Sequence, residues 1–366
     1  MQKRLKFGKW ETVTLLINLI CSKIFLSYTR LTAEDAGTAG WLSSIISCIT
    51  AVLIFTILMR LYKRFESNDI LDIAEIAGGI ILRMVTGLAI SAISLIITVT
   101  VLREYSEDIK VIVLPTSPLS YVMMFFAIGM CVGCFFGIEA IVRFAAITVP
   151  IIAAGYIFII LGVIPQMEFV NLFPVLGTGL DDIAVNGILR SSIFIELLTI
   201  FLLPPFLRSS DKVGSAGYIA LGLSSFFLVT GSLAFILTVS YPVSLEPFLP
   251  IYYMASLFNL GRFFERIESL FVIIWSMAAL LYLSSTFYFT VYTFARAAGL
   301  KYMRPLILPF IIIVFGAAFL PENLITVIRF EADYVYKSIG IVALAITAII
   351  MAAANLKEAG KKGGPR

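Results

Sequence analysis

The chain has no histidine, only four cysteines, and just 27 basic and 23 acidic side chains among 366 residues. Without histidine there is no group whose ordinary titration falls near neutral pH. The Ser/His and Cys/His nucleophile arrangements and every His-containing metal site are excluded with it. Cys21, Cys48, Cys131 and Cys134 each sit in an apolar run, which argues against disulfides. Cys131 and Cys134 have redox spacing, yet Met130, Phe135 and Phe136 surround them and no neighbouring cation activates a thiol. Inert buried thiols are expected. Charge is scarce as well: 14% of residues are charged and 60% hydrophobic, with 30 Phe and a mean hydropathy of +1.02. So few charges cannot clothe a water-soluble globule of this size, so lipid must be the solvent. The net charge of +4 then marks a cytoplasmic edge rather than a nucleic-acid surface.

A bilayer core takes about 20 apolar residues per helix, fewer where a helix is broken. Ten segments qualify. Six carry no Asp, Glu, Lys or Arg: Trp41 to Met59, Met84 to Leu102, Leu119 to Ile138, Phe144 to Ile164, Ala216 to Val239 and Ser269 to Phe289. Four are short or interrupted: Val13 to Tyr28, Ser191 to Leu207 with Pro204 and Pro205, Pro305 to Leu320, and Ser338 to Ala354. The basic start Lys3 to Lys9 resembles a secretory signal, but Asn18 and Lys23 interrupt the apolar stretch and no clean cleavage site follows, so a retained helix is expected. An even count puts both termini on one side. With that side cytoplasmic, 18 of the 27 Lys and Arg lie inside and eight outside, among them Arg30, Arg103, Lys110, Arg190, Arg262, Arg266, Arg329 and Lys337, which orients the chain N-in and C-in. The whole chain reads as one membrane domain, 1–366, ending in a basic tail at 356–366.

An ionisable group near mid-bilayer costs roughly 2.5 to 3.5 kcal/mol on insertion scales and marks a partner, a cavity or a function. Lys23 interrupts the first span and Glu196 the sixth, in corresponding places. Halves at 9–165 and 188–355, five spans each, have the lengths of a duplicated unit, and an odd number of helices inverts the second copy. In such transporters the first helix of each repeat is discontinuous, and its free backbone groups bind the polar ends of a small ligand. Two readings stand for Lys23 and Glu196: mutual or separate neutralisation, and ligand binding.

Elsewhere, Glu139 and Arg143 at i, i+4 read as an intrahelical pair. Arg103, Glu104, Glu107, Asp108 and Lys110 read as a solvated outer loop before Pro115 and Pro118. The stretch Pro165 to Asn186, with Gly177 and Gly179, reads as an outer cap and has no P-loop ending. Tyr241 to Glu268, with Pro242, Pro247, Pro250, Tyr252, Tyr253, Phe258, Phe263 and Phe264, reads as an interfacial hairpin that is either a lid or an aromatic belt.

Four stretches carry a family resemblance: REYSEDIK at 103–110 running to LPTSP at 114–118, GIEAIVR at 137–143, NLFPVLG at 171–177 and FERIESLFVIIW at 264–275. In order, spacing and total length the chain resembles the B subunits of bacterial spore germinant receptors, the spore germination permeases of the amino acid-polyamine-organocation (APC) superfamily. The resemblance implies an all-α polytopic membrane protein with ten transmembrane helices. These would form a LeuT-like five-plus-five inverted repeat with discontinuous first and sixth helices. It further implies a small-molecule germinant pocket formed by helices one, three, six and eight, a multi-pass A subunit and a lipoprotein C subunit as partners, and a spore inner or bacterial cell membrane. Family members commonly break helix one at a Gly-x-Gly-like element followed by Leu-Pro-Arg. Here Ser22, Lys23 and Ile24 precede Tyr28, Thr29 and Arg30, so the easy unwinding of glycine is missing. The Lys23 ammonium then stands either where related transporters hold a coupling cation or where a germinant carboxylate binds.

Helical spacing proposes the pocket-facing residues as Asn18, Cys21, Ser22 and Lys23 on helix one and Ser94, Thr98 and Val101 on helix three. Helix six contributes Phe194, Glu196 and Leu197, and helix eight Tyr282, Ser285, Thr286 and Tyr288. Small polar groups with a few aromatics suit a small ligand, and equally suit close helix packing. The expected role is a germinant-sensing subunit that binds a small nutrient, an amino acid by the resemblance. The alternative is an amino-acid or other small-solute secondary transporter. No catalytic set, cofactor, metal or nucleic-acid partner is expected.

Overall fold

The computed structural model describes residues 6–209, 213–257 and 267–362, with backbone alone at 267–270 and 360–362. Among these the chain is helical throughout, and the one β contact is an isolated bridge between Phe7 and Leu207. Among the described residues, eight helical segments are long and apolar enough to cross a bilayer. The broken first crossing and a short ninth one bring the bundle to ten. Its outer wall is apolar: Leu53, Ile81, Ile147 and Ile312 are 60%, 73%, 68% and 70% exposed, which is tolerable only against lipid tails.

The first crossing is α1 (Lys9–Cys21), a 3-10 turn (Ser22–Phe25) and α2 (Tyr28–Ala36), with the backbone leaving helical geometry at Leu26 (φ −96°, ψ −145°). No glycine is needed. The Tyr105 hydroxyl donates to the Ser22 carbonyl at 3.1 Å and the Leu26 N–H turns back to the Lys23 carbonyl at 3.1 Å, so the groups freed by the break find partners from within the fold. The missing Gly-x-Gly pattern therefore does not prevent the discontinuity. The sixth crossing breaks in another way. After α7 (Leu180–Arg190) the helix tightens into a 3-10 stretch, Ser191–Leu202, and a second turn at Pro204–Phe206 ends it. Tight winding rarely persists for long, and inside a span it marks a hinge.

Helices α3 (Gly40–Tyr62), α4 (Ile70–Ile112), α5 (Leu119–Phe136) and α6 (Ile138–Val163) complete the first five crossings. Asp69 caps α4 by accepting from the Leu71 and Asp72 N–H groups, and Gly79 (φ 77°) bends it. Gly137 (φ 86°) reverses the chain between α5 and α6 in a single residue, a conformation that side-chain-bearing residues rarely adopt. In the second half α8 (Val213–Thr238), α10 (Ile267–Ala297) and α11 (Arg304–Ala317) cross, with a short α9 (Pro250–Leu257) at the outer end. The last crossing is α12 (Leu324–Phe330), a π-helical segment (Glu331–Ile339) and α13 (Gly340–Lys362). At about 1.5 Å per residue α11 spans only about 21 Å. Phe7 pairs with Leu207, Tyr62 packs on Phe201, and Asn355 donates to the Leu61 carbonyl at 2.8 Å, so both chain ends lie on one face.

Three sequence expectations need correction. Helix three does not stop at Leu102: α4 runs to Ile112, and Arg103, Glu104 and Asp108, expected in a solvated loop, are buried. Nothing breaks the helix before Pro115, and neighbouring helices cover its charged turns. Helix ten does not start at Ser338 but at Leu324, which takes Arg329, Glu331 and Lys337 out of the outer loop. Arg190 ends a helix instead of lying in a loop, buried against Asp35. Residues 165–179 do cap the outer end of α2, through Thr38 Oγ1 to the Pro174 carbonyl at 2.5 Å and Thr178 N to the Ala36 carbonyl at 3.4 Å. Of the expected outer hairpin, Phe258, Arg262, Phe263, Phe264 and Arg266 lie outside the described residues, as does the start of the 264–275 stretch. Lys3, Arg4, Lys212 and Arg366 also lie outside them.

Candidate ligand site between the broken helices

Lys23 sits in the 3-10 turn of the first crossing, just before the backbone leaves helical geometry, and its side chain reaches across to the sixth crossing. Its ammonium donates to Glu196 Oε2 at 2.5 Å and to the Ile193 carbonyl at 2.8 Å, and lies 4.6 Å from the centre of the Tyr336 ring. Both ionic side chains are 3% exposed. The other oxygen of Glu196 accepts from the Tyr282 hydroxyl at 2.8 Å. All three ammonium protons thus have a partner, two of them acceptors and one an aromatic face. A carboxylate ligand reaches Lys23 only by displacing one of these.

Two spaces flank the pair. On the side toward the chain termini is an apolar cavity of about 80 Å³ lined by Ser94, Glu196, Thr199, Thr286, Phe289 and Thr347 among others. On the other side Lys23, Ser27, Tyr28, Arg190, Glu331 and Tyr336 enclose a hollow with about 10 Å³ for a water centre, enough for one water.

The fourteen residues proposed from sequence are distributed unevenly. Lys23, Glu196 and Tyr282 meet directly, and Ser94 and Thr286 share the apolar cavity with Glu196. Thr98 and Val101 are buried beside them, Thr98 hydrogen-bonded to the Ser94 carbonyl at 2.7 Å. Ser285 turns its hydroxyl to its own helix, at the Leu281 carbonyl. Asn18, Cys21 and Ser22 face a separate hollow against α6 with Tyr156 and Phe227, while Asn18 also donates to the Ala278 carbonyl at 3.2 Å. Phe194 and Leu197 point toward α3, lining a gap with Phe55 and Leu58. Tyr288 stacks on Tyr292 and packs near Phe206, toward the terminal face.

Sequence reading missed the groups on the outer side of Lys23. Ser27 Oγ donates to Glu104 Oε1 at 3.2 Å, and Glu331 and Tyr336 come from the π-helical segment. The spacing of Glu104 and Asp108, one helical turn apart inside a run with few turn-forming residues, was the available signal that helix three continued. Further out, Asp35 on α2 pairs with Arg190 on α7 and, at 3.9 Å, with Lys337 of the last crossing. This second ionic layer ties the outer halves of both broken helices together. As expected, Arg143 pairs with Glu139 at 2.7 Å. All four cysteines are free.

Ten crossings with the first of each five interrupted at mid-depth define a LeuT-like membrane transporter fold. It aligns at a TM-score of 0.67 with a substrate-bound, outward-open Na+-coupled sialic acid symporter, at 10% identity over 96% of this chain and 90% of that one. It aligns at 0.65 with a nucleobase-cation-symport-1 family transporter closed around bromovinylhydantoin, at 10% identity over 97% and 91%. In sequence, residues 6–327 match the Spore germination protein family, and the chain belongs to that family of germination permeases. A curated relative is Spore germination protein A2 of Bacillus subtilis (strain 168), 23% identical over 312 residues, which are 82% of this chain and 81% of the relative.

Proposed function

We propose that this chain is the germinant-sensing membrane subunit of a spore germinant receptor, taking an amino acid between its first and sixth helices. The observation that carries this reading is the Lys23–Glu196 ion pair, which joins the two helix breaks in the described interior. A zwitterion matches it group for group: its carboxylate replaces Glu196 at Lys23, and its ammonium replaces Lys23 at Glu196. One buried ion pair becomes two, and the direct tie between the two helices is cut. Binding therefore favours a state in which the first and sixth helices sit differently. A hundredfold preference for that state, about 2.7 kcal/mol, moves the equilibrium far enough to signal. Family membership supports A and C subunits as the readers of that state, the spore inner membrane as its place, and cytoplasmic termini, in keeping with both chain ends lying on one face. The two repeats are assigned to 9–165 and 188–355.

Secondary transport of the same solute is the second reading, favoured by the likeness of the fold to two symporters. A melting assay on the purified chain in nanodiscs, run with an amino-acid panel, tests the first. The expected result is a shift with a zwitterion, none with its methyl ester or deaminated analogue, and loss of the shift in Lys23→Met and Glu196→Gln. Equal shifts with the ester or in both variants would remove the pair from the site. Saturable accumulation of the same solute in vesicles holding this chain alone would establish transport.

A further inference from the structure

Protein interiors keep few voids larger than a water molecule, so the hollow of about 80 Å³ beside Glu196 forgoes packing that an occupant would restore. Its walls define the occupant. Ile97 of α4, Ile195 of the sixth crossing, Phe289 of α10 and Ile350 of α13 are buried and line it. Thr199, Thr286 and Thr347 line it too, but their hydroxyls already donate to the carbonyls of Glu196, Tyr282 and Ala343 on their own helices. Besides Glu196, only Ser94 and Thr86 are left as polar side chains on the wall. No described residue of the first crossing takes part, whereas α13, which the family resemblance leaves out of the pocket, supplies Ala343, Thr347 and Ile350.

We propose that this cavity receives the side chain of the sensed amino acid and restricts it to a branched aliphatic one, as in valine or leucine. The inference rests on the zwitterion reading above. An ammonium held at Glu196 stands two bonds from the first carbon of its side chain, and Glu196 itself borders the space that would take that chain. Size sets one limit: an engineered cavity of ~150 Å³ holds benzene, so about 80 Å³ is too small for an aromatic ring, while a lone methyl would leave most of it empty. Polarity sets the other. The asparagine side chain has the shape of leucine's but carries two N–H donors and a carbonyl acceptor, more than the hydroxyls of Ser94 and Thr86 can satisfy. A side chain in this cavity packs the sixth helix against α4, α10 and α13 while the exchange of ion pairs cuts its tie to the first helix.

Ligand titrations followed by thermal melting of the full chain in nanodiscs, with glycine, alanine, valine, leucine, asparagine and phenylalanine as probes, test the assignment. Affinity should rise about fourfold for each added aliphatic carbon, which makes leucine about sixtyfold tighter than alanine, and asparagine and phenylalanine should bind no better than alanine. Ala343→Leu fills the cavity and should reverse the order, so that alanine binds more tightly than leucine. Ile350→Val removes a single methyl, a change small enough to leave folding intact, and should bring phenylalanine closer to leucine. Asparagine binding as well as leucine, or the wild-type order persisting in Ile350→Val, would overturn the side-chain assignment and leave the ion pair standing as the zwitterion site. Binding of none of the six probes would overturn the zwitterion reading and this inference with it.

Discussion

Two of the ionic clusters that hold this bundle together are built in opposite ways. At the terminal face, Asp69 and Asp72 belong to a capping box, and Arg296 of α10 bridges them at 3.2 and 2.7 Å. Burial pushes the Asp69 carboxyl above the usual carboxylate range, with Arg296 opposing the shift. Backbone N–H groups of a continuous helix fix these carboxylates, and Arg296 remains one-third exposed. At mid-depth, Lys23 and Glu196 sit on interrupted backbone, reach each other through single contacts and see almost no solvent. The first cluster is anchored by secondary structure and staples two helices. The second is anchored chiefly by its own members, so removing or exchanging a partner changes how two helices meet. The proposed sensing role draws on the second kind, where a small ligand competes with the protein's own groups.

The comparison can be broken most sharply at Lys23. Lys23→Ala leaves the Glu196 charge buried and unpaired and should lower stability by about 3–5 kcal/mol, whereas Lys23→Met combined with Glu196→Leu should recover most of that loss while abolishing the ligand response. Denaturant or thermal melting in nanodiscs reads the first effect and ligand-dependent melting the second. Arg296→Ala should cost less, about 1–2 kcal/mol, because backbone donors still hold Asp69 and water reaches the gap. Its ligand-dependent melting shift should persist, and loss of that shift would mean that the staple is part of the switch. Arg143→Ala removes an i, i+4 pair on an exposed helix turn and should change the melting free energy by about 0.3–0.5 kcal/mol.

Lys23 and Glu196 were legible because a lone ion in an apolar run has no innocent local explanation. Glu104, Asp108 and Glu331 were not. Each stands among other charges, in REYSEDIK and around Arg329 to Lys337, where local polarity imitates a loop. Only the long α4 and the π-helical segment carry them inward. The same limit applies to side-chain direction. Phe194 and Leu197 are sequence neighbours of Glu196, but in tight 3-10 winding they turn toward α3, a rotation that regular helical spacing misplaces. Helix one lacks the glycines that make unwinding easy, and the Tyr105 hydroxyl takes up the Ser22 carbonyl at the break.

Composition and the order of apolar runs determined by themselves that this is a ten-crossing membrane protein with one ion set into each of two corresponding helices, since the cost of polar groups in lipid acts residue by residue. Which ions meet and which hollows remain between helices were decided only by tertiary packing. Those depend on where distant segments come to rest, and no local pattern records that.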